Sequence, residues 1–520
     1  MDHELTDSLL TSDNKMGHTM LAPRPSGHLR VAAYIIAFSS FLWGYGFCVL
    51  NVCIAENATG SILVDFNLTD AEIELASSLV LIGAWFSAVA TASLVDKYGR
   101  RPVLLFNNSL FVVGGLLCAL APTKNGIYVG RTVIGFACGI VTNVTPILLA
   151  EIAPAQIRGQ ITTLHQLMLT IGILGSSLLG YMFVTSVPSG WRYVNAFVAV
   201  PAILQCMLTP CIPESPRWLL SMNRVDDAKA QLRTLRQAVY ETDLDDEIRD
   251  VQQDLSSSRD HDPKRVTVAS IWRYKKPMFL GSFLVFFQAM TGINTVMLYS
   301  SKIFHFAGVD KPIMATASVG TVNVLATVLS VALVDIYGRK ILLLLSSGLM
   351  AISLGVLSYS LLTLSGKIQG VLAVICVLVF VAGFAIGLGA VIWVVLGEIT
   401  PSSIRSRAMG FFMAVSYACN IFVATCTLGI IQALGTGPDV TKNGIAKLYL
   451  ICWCVCRRMR RMMGVDASSC SVLSVACFVF IARYVPETKS YTHAVEEVPL
   501  EEPAATPVGE DEKTRLADDE

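Results

Sequence analysis

Long apolar stretches recur along the whole chain with short polar breaks between them, and this limits the fold more than any other feature. A stretch of about 20 apolar residues crosses the roughly 30 Å hydrocarbon core of a bilayer as a helix. Such stretches fall at 31–55, 74–95, 103–122, 126–150, 161–184, 191–212, 277–300, 313–334, 340–364, 369–396, 408–433 and 447–485. They make two sets of six. Of the 520 residues, 53% are hydrophobic and 15% charged, where soluble domains carry about 25% charged residues. The expected fold is therefore an all-α polytopic membrane protein with twelve transmembrane helices in two pseudo-symmetric halves. A formal net charge of +0 gives no basic signature for nucleic acid. The 14 cysteines lie mostly inside apolar stretches and read as buried free thiols rather than a disulfide framework.

The longest polar stretch, 213–275, separates the two sets and contains helical, charged text ("VDDAKAQLRTLRQ", "DLDDEIRDVQQD"). The expected division is a tail at 1–30, a six-helix half at 31–212, a helical linker at 213–275, a second half at 276–489 and a disordered acidic tail at 490–520. The first 30 residues show no apolar signal-peptide core, so no cleaved signal is expected. Lys and Arg concentrate in the linker and in the loops after stretches two, four, eight and ten, while Glu56–Ile73 has none. The positive-inside rule then places both termini in the cytoplasm. Asn57-Ala-Thr and Asn67-Leu-Thr, in the first outer loop, are candidate glycosylation sites.

Charged motifs repeat at one membrane face. "LVDKYGRR" contains Asp96, Arg100 and Arg101; "LVDIYGRK" contains Asp335 and Arg339, half the chain away. "EIAPAQIR" contains Glu151 and Arg158; "EITPSSIR" contains Glu398 and Arg405. "PESPRWLL" contributes Glu214 and Arg217, and "PETKS" contributes Glu487. A duplicated six-helix unit explains the repetition, and repeated halves around a shared site are the usual build of secondary transporters. Glu–Arg pairs there are expected to lock the cytoplasmic face and to break as the halves rock, so these twelve residues are candidates for a cytoplasmic gate.

Together, "DKYGRR", "DIYGRK", "GRTVIGFACGI", "PESPRWL", "QAMTGIN" and "PETK" resemble the major facilitator superfamily, and within it the sugar porters, which include glucose facilitators and proton–sugar symporters. The resemblance covers roughly residues 31–490. It implies a monosaccharide bound between the halves by neutral amides, which both donate and accept hydrogen bonds, and by an aromatic plate. By local motif, Gln166, Gln288, Asn294, Asn323, Asn420 and Trp393 match the family's sugar contacts, and Phe384 adds a second aromatic wall. On a continuous helix Gln288 and Asn294 share a face only loosely. Tyr299 resembles the family's outer-gate tyrosine, and Arg131 reads as structural or coupled to the inner gate.

Departures from the family pattern bear on mechanism. Its symporters carry a proton-binding aspartate after Gly-Tyr in the first span, where this chain has Gly46 after Gly44-Tyr45. Facilitated hexose diffusion is therefore the favoured reading. Proton symport of a sugar or of a polyol such as inositol is the alternative, with His165 as the one route to a proton relay. A non-transporting sugar sensor is the competing class, disfavoured by the short tail. Ala289 stands for a second glutamine, Ala390 and Ile392 for prolines, and Ser416-Tyr417 for Asn-Trp. Within stretch twelve, Arg457, Arg458, Arg460 and Arg461 interrupt the apolar text. They read as an outer bulge or, preferably, as an intron retained in the gene model. Cys452, Cys454 and Cys456 lack metal-site spacing. No enzyme activity, cofactor or metal is expected. The expected partners are a monosaccharide and the lipid bilayer, with no nucleic acid, and the expected state is a monomer in the plasma membrane.

Overall fold

The computed structural model describes residues 24–55, 58–154, 157–237, 241–260, 275–307, 309, 311–364, 366–400, 405–434 and 472–485. Asn57, Glu487, the four arginines of stretch twelve, residues 1–23 and the acidic tail lie outside the described residues, as do the side chains of Asp335 and Arg405. Ten described helices are long and apolar enough to cross a membrane.

Helix caps set where the spans begin, and they move two starts outward from the apolar text. Span one is Gly27–Cys53, opened by Ser26, whose hydroxyl accepts from the Leu29 amide. Span two is Asp70–Tyr98. Thr69 accepts from the Glu72 amide and the Glu72 carboxylate accepts from the Thr69 amide, a capping box that satisfies two otherwise orphaned donors. Asp70 thereby becomes a helical residue rather than loop. Spans three, four and five are Arg100–Ala119, Lys124–Ile152 and Arg158–Ser186. Spans eight and nine are Pro312–Tyr337 and Arg339–Thr363, and span eleven is Arg405–Leu434. Of span twelve, Val472–Tyr484 is described.

Three spans are not single helices. Span six is Gly190–Ala196 followed by Ala199–Met207. Pro201 removes one amide donor and crowds the carbonyl four residues back, at Phe197, where the helix breaks. Span seven is Lys275–Met290 and Ile293–Phe306, interrupted where Gly292 adopts φ +86°. Span ten is Lys367–Phe384, a π-helical turn Ala385–Gly389, then Val391–Ile399.

Lipid is as apolar as leucine, so helices in a bilayer associate through close packing of small residues. Spans one and five show this reciprocally. A Cβ on Gly44 would stand 2.0 Å from the Leu169 carbonyl oxygen, and one on Gly172 would stand 2.1 Å from that of Phe41. The linker forms helices Pro216–Ser221, Val225–Leu235 and Glu241–Asp260 around Leu219, Leu220, Ala228, Leu232, Leu244 and Ile248. Lys229 pairs with Asp245 and holds that carboxyl below its ordinary range. The linker is fastened to the first half. Arg236–Gln237 pairs antiparallel with Arg24–Pro25, and the buried Arg236 donates to the Ile152 carbonyl (2.7 Å) and to Glu247 (2.9 Å).

Both knots turn on glycines of matching conformation: Gly99 at φ 92°, ψ 171° and Gly338 at φ 83°, ψ 167°. Non-glycine residues rarely reach this region, at a cost of about 1–3 kcal/mol. A Cβ on Gly99 would also stand 2.6 Å from Glu214 Oε2. Gly99→Ala is expected to lower the thermal unfolding temperature of the detergent-solubilised protein. Gly410→Ala, which meets nothing within 4 Å, is expected to leave it unchanged.

Candidate functional site

The wide turn of span ten leaves backbone groups without their regular helical partners, and three other spans supply side chains to them. Gln288 Nε2 in span seven donates to the Leu388 carbonyl (2.6 Å), Ser330 Oγ in span eight donates to the Ile386 carbonyl (2.7 Å), and the Leu388 amide donates to Ser346 Oγ in span nine (3.1 Å). Gln288 is buried, and part of its donor capacity is spent on this turn. Asn294, beyond the break in span seven, instead donates through Nδ2 to Asn420 Oδ1 of span eleven. The continuous-helix expectation for Gln288 and Asn294 is thus corrected: Gly292 redirects the chain, and the two amides serve different neighbours.

Asn420 Nδ2 donates in turn to Ser416 Oγ (3.4 Å), and Tyr299, 1% exposed, donates to the Ala424 carbonyl (3.2 Å). Spans seven and eleven are thereby stitched by Asn294 and Tyr299 together. Asn323 is buried in span eight. Gln166 on span five is half-buried. Trp393 and Phe384 pack partly buried against the core of the second half, and Phe384 lies over Gly389. Tyr417, in the position of the family's tryptophan, meets Thr142 Oγ of span four at 2.8 Å. The Thr142 hydroxyl already donates to the Cys138 carbonyl (2.9 Å), so the tyrosine is the donor in this contact between halves.

At the face that carries the linker, Arg100 forms a two-pronged pair with Glu151, both bonds at 2.9 Å and each side chain 12% exposed. Glu214 crosses from the linker to the start of span three. Its Oε1 accepts from the Arg100 amide (3.0 Å) and its Oε2 from the Arg101 amide (3.2 Å), so a carboxylate sits on a helix N-terminus, where the macrodipole favours it. Arg101 donates to the Thr209 carbonyl (3.2 Å). Asp96 is exposed, and its backbone carbonyl accepts from Trp218 Nε1 (3.0 Å). Arg158 and Arg217 are exposed. In the second half Arg339 pairs with Glu398 (3.1 Å), with 19% and 23% exposure. Both Arg–Glu pairs tie helices within one half: spans three and four, and spans nine and ten.

Contacts between the halves cluster at the opposite face. Asn51 of span one donates to the Met297 carbonyl (3.0 Å) and Ser300 Oγ (2.9 Å), and accepts from the Ser301 amide (3.3 Å). Ser78 of span two meets Thr425 of span eleven at 2.9 Å. Of this face the motif reading named Tyr299 but not Asn51, Ser78 or Thr425; the Thr69–Glu72 capping box extends span two outward over Asp70.

Span one carries no side chain at Gly46, and Arg131 occupies the neighbourhood. It is 1% exposed, and its guanidinium donates to the carbonyls of Gly46 (2.7 Å), Ala76 (3.3 Å) and Phe47 (3.4 Å). No carboxylate bonds it among the described residues. His165 accepts or donates at Ser40 Oγ through Nδ1 (2.7 Å) and stacks on Trp43 at 5.6 Å.

The chain is similar to proteins of known family. The profile described as "Sugar (and other) transporter" matches residues 32–498. The chain belongs to this sugar transporter family. It is 32% identical over 407 residues to the galactose–proton symporter of Escherichia coli strain K12, covering 77% of this chain and 85% of that protein. It is 33% identical over 466 residues to the human facilitated glucose transporter member 14 of solute carrier family 2, covering 85% and 87%. Its fold matches that of the xylose transporter XylE from Escherichia coli in a partially occluded inward open conformation. The TM-score is 0.71 at 24% identity, covering 89% of this chain and 99% of that one. A multi-pass membrane protein of the major facilitator fold is thereby shown.

The Arg100–Glu151 pair ties spans three and four at the face that carries the linker. Removing one partner leaves the other half-buried and uncompensated. Arg100→Ala is expected to lower turnover in vesicles about tenfold, equivalent to ~1.4 kcal/mol, with sugar half-saturation changed less. Full turnover in this variant would reduce the knot to a turn that only sets topology.

Proposed function

We propose that the protein carries a hexose across the membrane by facilitated diffusion with alternating access. The observation that carries the uncoupled reading is the surroundings of Arg131. In an intramembrane site, proton coupling needs a carboxylate that changes charge. Here the position after Gly44-Tyr45 is Gly46, and the buried guanidinium bonds backbone carbonyls instead. The lone histidine near the centre is engaged by Ser40 and Trp43, which supports a packing role for it over a relay.

The sugar is proposed to sit between the halves against Gln166, Asn294, Asn323, Asn420 and Trp393, with Gln288 and Phe384 at the turn of span ten. Tyr299 closes the site on the side away from the linker. The Arg–Glu pairs, Glu214 and their neighbours stiffen each half at the other side, with the divisions between halves and linker as read from the sequence. The positive-inside distribution supports a cytoplasmic linker and termini. Exposed Asn67, at φ +47°, and Asn57 are then glycosylation candidates. We place the protein in the plasma membrane as a monomer that binds no nucleic acid and catalyses no chemical reaction.

Uptake of labelled glucose and fructose by purified protein in liposomes tests this reading. Equilibrating uptake, equal with and without an imposed proton gradient, is expected. Accumulation driven by the gradient would establish symport instead, and a sensor would show no uptake. Trp393→Ala is expected to raise sugar half-saturation about tenfold, ~1.4 kcal/mol, because the sugar loses the aromatic face it packs on, with little change in unfolding temperature.

A further inference from the structure

Lys302 lies on the second helix of span seven, and its side chain is 5% exposed. Its Nζ stands 2.6 Å from Oδ1 of Asp70, the first residue of span two. The pair therefore joins the two halves at the face opposite the linker. One helical turn further along span two, buried Glu74 accepts through Oε1 from the Gly429 amide of span eleven (3.2 Å). Two carboxylates four residues apart on one helix face thus hold two different spans of the second half. The neutral contacts of Asn51 and of Ser78 with Thr425 surround them.

A buried ammonium is tolerated only with an anion beside it. Separation of the halves on this face takes Lys302 away from Asp70, so the ion pair belongs to one conformer and not the other. A contact made in one of two states shifts the population by its differential free energy. We propose that Lys302 and Asp70, supported by Glu74, form a positioning latch that favours the conformer closed on the face opposite the linker. The latch thereby makes the carrier asymmetric between its two sides. This deepens the transport reading but does not need it: the latch acts on the conformers whether or not the hexose is the cargo.

Hydrogen exchange of the full-length protein in lipid nanodiscs, read by mass spectrometry, tests the latch without a substrate. In Asp70→Asn and in Lys302→Met, exchange at residues 51–54, 70–78, 297–305 and 424–429 is expected to rise about threefold to thirtyfold. Exchange in the linker helix Val225–Leu235 is expected to stay unchanged. The double variant Asp70→Asn/Lys302→Met is expected to open no further than either single one, and the swap Asp70→Lys/Lys302→Asp to recover part of the protection. Unchanged exchange at the opposite face in both single variants would overturn the proposal. So would an equal rise on both faces, the mark of a merely structural pair, or fully additive effects in the double variant.

A second readout is the ratio of glucose half-saturation for entry and exit in vesicles, expected to shift about threefold or more in the single variants. An unchanged ratio together with unchanged exchange counts against the latch. If the wild-type protein moves no glucose yet the exchange shift appears, the hexose reading fails and the latch stands.

Discussion

Inside a bilayer the backbone has no water to bond, so every break in a helix must be answered by a side chain. The rest of this structure is organised by that constraint. The wide turn of span ten is answered by Gln288, Ser330 and Ser346 from three neighbouring spans. The bare N-terminus of span three is answered by Glu214 from the linker. The carbonyls of Gly46, Phe47 and Ala76 receive the guanidinium of Arg131. Each answer ties together elements far apart in sequence, so satisfying the backbone also assembles the site.

The two halves solve the same problem with the same residues. Both knots turn on a glycine of nearly equal φ and ψ, and both place an arginine on the glutamate of the following Glu-Ile-x-Pro motif. Among the described residues, the first knot also receives Glu214 and Trp218. The linker that supplies them is strapped to that half by Arg236 and by the short Arg24–Gln237 pairing. The linker is therefore fastened to the first half.

Much of this was legible in the sequence, and the residues show why. Apolar length gave the first eleven spans within a few residues, because the bilayer fixes that length; of the twelfth only Val472–Tyr484 is described. The paired motifs gave the repeated charged positions but not their partners, because Arg100 and Glu151 belong to separate motifs and meet within one half. The contacts made by Gln288 and Asn294 were not legible, since a single left-handed glycine between them cancels any helical-wheel argument. The pairing on the latch side was also missed. Asp70 looks like loop charge until the Thr69–Glu72 box makes it helix, and nothing local to Lys302 points to span two. Pairings between halves depend on how the halves tilt, which no local pattern records.

The central claim is that one site faces each side in turn, with no ion carried along. Counterflow tests it most directly. Liposomes containing the protein are loaded with unlabelled glucose and diluted into trace labelled glucose, with and without a protonophore. The account predicts a transient overshoot of label above its equilibrium level, because carriers returning loaded from the filled side bring label in faster than it leaves. A monotonic rise to equilibrium would show a passive pore, and an overshoot abolished by the protonophore would show that protons drive the cycle. Either result would contradict the account.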